Sequence, residues 1–285
     1  MIKTALVGAV VFRAAVFSVK SDESPMPDKS RYNLFTPVPP EFMRELTPDR
    51  PDKTESPYTV DAGHFQVEID FANFTHDRTD GVTTRSWNIA PVNFKVGLLK
   101  NADLQLVFDN YLHTRTEDKS AGATTVQSGV GDLTARLKLN LWGNDGGATA
   151  FGLLPFVKFP TSTGQLGNHA VEGGIIFPLA IKLPHDFDLG LETSVSFLQN
   201  ESDHRYDEEF FNSVTLGHAL VGNLGGYLEF FSSLSTERHA GWVGTVDVGL
   251  NYALTKNAQL DCGCNFGVTR AADDLNPFAG ITLRF

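Results

Sequence analysis

Cys262 and Cys264 stand two residues apart, and His76, His113, His169, His204 and His239 recur near charged residues, as in Asp203-His204 and Glu237-Arg238-His239. Thiolates and imidazoles are the side chains that hold transition metals. A thiolate site needs more sulfur ligands than this chain offers, since it has only 2 cysteines. Two residues apart on an extended chain, their Cα atoms lie about 6.5–7 Å apart with parallel side chains, which is poor geometry for a disulfide. The cysteines are therefore expected to face outward as small apolar groups. The histidines are expected in solvated loops, with no metal and no cofactor. Hydrolytic chemistry has as little support: the sequence has no His-x-Ser pair, no Gly-x-Ser-x-Gly, no His-Glu-x-x-His and no phosphate-binding glycine loop. No catalytic residue is assigned, and the chain is read as a non-enzyme.

Charges at alternate positions say more. Glu68, Asp70, Lys95, Asp109, Arg136, Lys138, Glu172, Glu192, Glu229, Asp247, Asp261 and Arg284 each take the wet phase of an otherwise apolar run. If they line one interior, the excess of acids over bases would make a water path favour cations. The alternative is that they pair across a narrow lumen and hold it shut.

Those phases belong to strands with one oily and one wet face. Phe65, Val67, Ile69 and Phe71 alternate with Gln66, Glu68 and Asp70, and Leu133, Ala135, Leu137, Leu139 and Leu141 alternate with Thr134, Arg136, Lys138 and Asn140. Similar runs occupy 187–197, 245–252 and 259–268. The last, Ile281, Leu283 and Phe285 against Thr282 and Arg284, ends on an aromatic residue as the closing strands of outer-membrane barrels do. Read throughout, the pattern predicts strands near 64–76, 82–99, 103–115, 130–143, 149–160, 170–183, 187–199, 209–221, 224–236, 241–254, 259–270 and 277–285. Twelve strands of about 10 residues fit a closed antiparallel transmembrane β-barrel. A phase change at Pro91 predicts a bulge. Tight turns, such as Pro184-His185-Asp186 and Gly222-Asn223, alternate with longer connections at Arg115 to Gly129, Thr161 to Ala170, Asn200 to Glu209 and Arg270 to Asn276. Short periplasmic turns and longer outer loops show this asymmetry. At the seam, Arg284 is expected to meet Glu68, or Gln66, on the first strand.

The remaining sequence is consistent with this plan. The formal net charge of -11 makes nucleic acid an unsuitable partner. The apolar run from Thr4 to Phe12 is too short for a spanning helix. With Lys3 before it and small residues after, it predicts a secretory signal over 1–18; a misplaced start is the alternative. Residues 19–60 are rich in Pro and charge, as in Pro37-Val38-Pro39-Pro40 and Asp49-Arg50-Pro51-Asp52. They cannot join the sheet and are expected as a periplasmic tail or a segment tucked into the barrel mouth. Residues 61–285 form the barrel.

The stretch from Asp49 to Glu68, together with Ala90-Pro91-Val92-Asn93, Gly129-Val130-Gly131-Asp132-Leu133, Leu154-Pro155-Phe156-Val157-Lys158 and Val268-Thr269-Arg270-Ala271-Ala272-Asp273-Asp274, resembles a bacterial outer-membrane transporter family of phenol meta-pathway degradation proteins. The resemblance runs from about residue 44 to 285. It implies uptake of small, often aromatic, hydrophobic compounds. The expected function is passive transport of small solutes across the outer membrane of a Gram-negative bacterium. Its expected partners are outer-membrane lipid, lipopolysaccharide at the outer loops, the barrel-assembly machinery through the Phe285 strand, and the solute. The rivals are a non-transporting structural or adhesive barrel and a soluble periplasmic barrel with an oily core, which period two alone permits.

Overall fold

A strand exposed to hydrocarbon cannot leave its backbone edge unpaired, so a spanning sheet must close on itself. The computed structural model shows how this chain does so. It describes residues 28–164, 166–200 and 203–285; the expected signal segment 1–18 lies outside them. The elements are β1 (Phe65–Thr79), β2 (Val82–Ile89), β3 (Val92–Leu99), β4 (Ala102–Phe108), β5 (Tyr111–Asp118), β6 (Ala123–Gly129), β7 (Leu133–Trp142), β8 (Thr149–Phe159), β9 (Glu172–Leu183), β10 (Phe187–Gln199), β11 (Tyr206–Val221), β12 (Leu224–Ser235), β13 (Val243–Thr255), β14 (Ala258–Gly267) and β15 (Leu275–Arg284). β2 runs on into β3, β4 into β5, and β6 into β7. The wall is therefore a closed antiparallel barrel of twelve strands, sealed where β15 pairs β1 from Gln66↔Arg284 to His76↔Leu275.

The three interruptions lie side by side, at Ala90-Pro91, Asp109-Asn110 and residues 130–132. Pro91 has no N–H to give a ladder, and Ala90 adopts φ 54°. β1 answers with a register shift between Asp70 and Ala72. The expected bulge is thus a break in the strand of Pro91 matched by a bulge on its neighbour. Below the breaks the ladder runs β1–β3–β4–β7–β8; above them it runs β1–β2–β5–β6. The second edge of β6 finds no ladder partner among the described residues. The connection after β8 lies against its foot, with Thr163 donating to the Val130 carbonyl at 3.1 Å and Val130 N–H to Thr163 Oγ1 at 3.1 Å.

One expectation is corrected here. Arg115 to Gly129 is not a loop but the hairpin of β5 and β6 joined at residues 119–122. On β5, Thr114 and Thr116 take the inner phase opposite Ser86 and Thr84 of β2, while His113 and Arg115 take the outer phase, so both faces are polar. Without an oily face there is no period-two signal to read.

Outside, the wall is apolar. Leu137, Leu141, Leu228, Val248 and Phe266 are exposed. Trp142, Tyr252 and Phe285 ring the end that carries both Asp28 and Phe285, while Trp87, Tyr111, Tyr206 and Trp242 ring the other. Two aromatic girdles flanking an oily band match the interfaces of a bilayer. Cys262 is exposed on this surface and Cys264 half-buried, and the two are not bonded to each other. Below the barrel, Tyr32, Val38 and Ala62 pack with Phe42 and Met43 into a small apolar cap.

Candidate functional site: the plugged lumen

Twelve strands enclose more space than their own side chains must fill. Residues 44–60 occupy it. Pro48, Pro51 and Pro57 keep this segment out of the sheet, so its amides must find acceptors elsewhere. Wall carboxylates supply them. Asp49 N–H donates to Glu68 at 3.1 Å, Lys53 and Thr54 N–H to the two oxygens of Glu229 at 2.9 Å each, and Glu55 N–H to Glu192 at 2.7 Å. Val60 N–H donates to Asp103 at 2.9 Å, and Asn140 Nδ2 to the Pro57 carbonyl at 2.9 Å.

The side chains lock the same contact. Asp49 sits between Lys95 and Lys138, the latter at 2.5 Å, and Lys95 also meets Glu68. Arg136 pairs with Glu55. Arg50 joins Asp70 to Asp261, at 2.6 Å from the latter, with its guanidinium 5.8 Å from the Phe278 ring centre. Lys53 reaches Asp247 at 3.1 Å and lies 4.5 Å over the Phe231 ring. Two glycines make room: a Cβ at Gly97 would fall 2.0 Å from the Asp61 carbonyl oxygen, and one at Gly280 would fall 2.4 Å from Arg50 Nη2. The segment enters past the cap, where Lys29 and Arg44 grip Asp145 at 2.9 and 2.8 Å. Burial pushes the Asp145 carboxyl up, but the two cations outweigh it and hold it below the usual carboxylate range.

Of the residues singled out in the sequence, Glu68, Asp70, Lys95, Arg136, Lys138, Glu192, Glu229, Asp247 and Asp261 all contact the plug or one of its ion pairs. Asp109 lies apart at the strand breaks, accepting from Asn88 at 2.6 Å, and Glu172 pairs with Lys158. For Arg284 the expected place beside Gln66 holds, and the expected contact with Glu68 is corrected. The arginine stands opposite Gln66 in the ladder, yet its guanidinium donates to Asn257 Oδ1 at 2.9 Å and to the carbonyls of Arg44 at 2.9 Å and Lys256 at 3.2 Å. Glu68 is already taken by Lys95 and by Gln66 at 2.8 Å, so the long arginine turns toward the rim. Sequence reasoning missed Asp103 and Gln105, both fully buried, and the plug's own Asp49, Arg50, Lys53, Thr54 and Glu55. The available signal was the density of charge in residues 49–55, whose cations Arg50 and Lys53 meet lumen acids and whose acids Asp49 and Glu55 meet lumen cations. Beside the plug, at the level of the strand breaks, lies a cavity of about 190 Å³.

Among solved structures, the chain is similar to an outer membrane channel from Pseudomonas putida F1 at 14% identity, covering 85% of this chain and 100% of that one with a TM-score of 0.61. It is also similar to the NanC porin, at 8% identity, 77% and 98% coverage and TM-score 0.49. The translocator domain of the autotransporter NalP from Neisseria meningitidis gives 9%, 78%, 88% and 0.49. No curated protein matches the chain. Residues 48–285, plug and barrel together, match one family along their whole length, and this chain belongs to the family described as "Putative MetA-pathway of phenol degradation".

Proposed function

We propose that the protein is a passive outer-membrane channel for small apolar or aromatic solutes, closed at rest by residues 44–60. The observation that carries this reading is the attachment of the plug: its main chain hangs on Glu68, Glu192 and Glu229 rather than on a sheet edge. A purely structural barrel can fill its interior with side chains of its own wall. Here a separate segment fills it, through hydrogen bonds and ion pairs that water can replace. The apolar exterior with its girdles suits the outer membrane of a Gram-negative bacterium. The similar Pseudomonas barrel is named a channel, and the family's description concerns phenol, which supports a solute of aromatic type. In this reading Glu68, Asp70, Lys95, Arg136, Lys138, Glu192, Glu229, Asp247 and Asp261 line the path once the plug leaves, with Asp109 and Glu172 above and Arg284 at the rim. No step of it requires catalysis. The acidic loops would bridge lipopolysaccharide through divalent cations, and the strand ending at Phe285 would engage the barrel-assembly machinery.

A staple tests the reading. Thr54 Oγ1 lies 2.7 Å from Ser213 Oγ, so cysteines at both positions, with Cys262→Ala and Cys264→Ala, can bond plug to wall. The oxidised protein should be silent in planar bilayers and impermeable to a small aromatic solute in proteoliposomes, and reduction should restore both signals. A protein silent in both states would instead be a non-transporting barrel.

A further inference from the structure

On the outward face above Trp87, the ladder sets cations side by side. His76 on β1 stands opposite Arg85 on β2, and Arg85 stands opposite Arg115 on β5. One rung below in the same phase come Phe74, Trp87 and His113; one rung above come Arg78, Thr83 and Glu117. Like charges placed directly opposite destabilise a sheet, and the relief here is thin. Among the outward positions of β1, β2, β5 and β6, Glu117 is the only acid, meeting Arg115 Nε at 2.8 Å and Arg85 Nη1 at 3.5 Å. Of the acids nearby, Asp80 is held by Arg270, and Asp274 accepts the Arg78 amide at 3.0 Å. Three guanidinium groups thus face one carboxylate, in a chain whose formal net charge is -11. The side chains of Arg85 and Arg115 stay about half exposed.

Their height matters as much as their sign. Phe65 exchanges backbone hydrogen bonds with Phe285 in the lower girdle. From there to Phe74, β1 climbs about 30 Å of strand, or about 23 Å of membrane depth at the usual tilt, close to the full apolar band of such a barrel. The row of His76, Arg85 and Arg115 then comes about 5 Å higher. That is the hydrated headgroup layer of the outer leaflet. Just beneath it, the rings of Phe74 and Trp87, 4.5 Å apart, and the exposed Ile89 face the acyl chains.

We propose that this face binds the phosphate of an outer-leaflet glycolipid directly: a phosphate monoester on a sugar whose acyl chains lie along Phe74, Trp87 and Ile89. Such a group carries about -1.5 to -2 charges at neutral pH and three acceptor oxygens. Guanidinium forks grip it bidentately, and one anion between Arg85 and Arg115 removes the repulsion that the register builds in. A phosphodiester headgroup brings less charge and fewer free oxygens, and so answers less of the patch. Unlike the acidic loops, this face needs no bridging cation. The inference rests on the outer-membrane placement of the barrel and on nothing that crosses it.

The test is native mass spectrometry of the full, refolded chain in detergent with EDTA, titrated with bisphosphorylated lipid A, its dephosphorylated form and phosphatidylglycerol. Lipid A should be retained, and each of the other two should bind more weakly by about tenfold or more, the worth of one charge-assisted hydrogen bond. Arg85→Gln combined with Arg115→Gln should weaken lipid A by a similar factor, Glu117→Gln should tighten it, and Arg205→Gln, on a distant outer loop, should leave it unchanged. Each variant must keep the heat-dependent gel shift of the closed barrel; if the double variant does not, Glu117→Gln carries the test, and unchanged affinity there overturns the proposal. Undiminished binding by a folded double variant, binding that EDTA abolishes, or phosphatidylglycerol held as tightly would also overturn it. Displacement of the lipid by inorganic phosphate would overturn it as well, making this a site for the free ion. Neither conductance nor uptake enters, so a silent barrel leaves this proposal standing, and a patch without lipid leaves the channel standing.

Discussion

Glu229 shows what one residue does in this lumen. It accepts from the amides of Lys53 and Thr54 at 2.9 Å each, from Thr54 Oγ1 at 2.5 Å and from Thr215 Oγ1 at 3.0 Å. Glu229→Gln keeps the shape but turns an NH2 group toward donors. At least one plug amide is then left unsatisfied, at roughly 1–3 kcal/mol. The expected outcome is faster trypsin cleavage after Lys53 and more frequent channel openings, with the barrel's gel shift unchanged. Asp145 acts at the plug's entrance. Its carboxyl has a lower pKa folded than unfolded, so the stability it contributes is present above the unfolded value near 4 and is lost as pH falls through the folded value below that. The group is a third exposed, so the contribution is about 0–1 kcal/mol. Hydrogen-exchange protection factors of residues 28–45 should fall between pH 5 and pH 2, and Asp145→Asn should show the lower protection already at neutral pH.

An element is legible from its sequence when its two faces meet different media. β7 is such an element: Lys138 and Asn140 are buried inside while Leu137 and Leu141 meet the exterior, in the predicted phase. Placing Arg at Leu137 should destabilise the barrel by about 2–4 kcal/mol, read from urea unfolding in bilayers. Equal stability would mean that the outer face does not meet lipid. β5 and β6 were illegible because water wets both faces. The plug was half legible: Pro51 and Pro57 state that it is no strand, but nothing local points Thr54 at Glu229, 175 residues away. Arg284 shows the same limit, because its phase is periodic whereas its choice of Asn257 over Glu68 depends on which neighbours Lys95 had already engaged. Truncating it in Arg284→Ala should therefore loosen the 256–257 turn and the Arg44 contact, with the β1–β15 register intact by exchange.

At the scale of the whole molecule, plug and wall interlock by sign: the plug's Arg50 and Lys53 meet wall acids and its Asp49 and Glu55 meet wall cations. Deleting residues 44–60 should leave a barrel that still shows its gel shift but conducts, and conducts cations preferentially. Glu68, Asp70, Asp103, Glu192, Glu229, Asp247 and Asp261 would then outnumber Lys95, Arg136 and Lys138. Neutralising Glu68 and Asp70 together should shift the reversal potential in a salt gradient toward zero; an unmoved potential would remove them from the path. The wall groups that receive the plug are spread from Glu68 on β1 to Arg284 at the end of β15. Although the plug is made first, its receptor is complete only once the last strand is in place, and contacts so distant in sequence form late. Each newly folded molecule should therefore pass through an interval as an open pore. Followed in time, refolding into planar bilayers or vesicles should show the gel shift first and a transient ion leak that decays as the plug docks. Leak and shift that never separate would mean instead that the plug is the template around which the sheet closes.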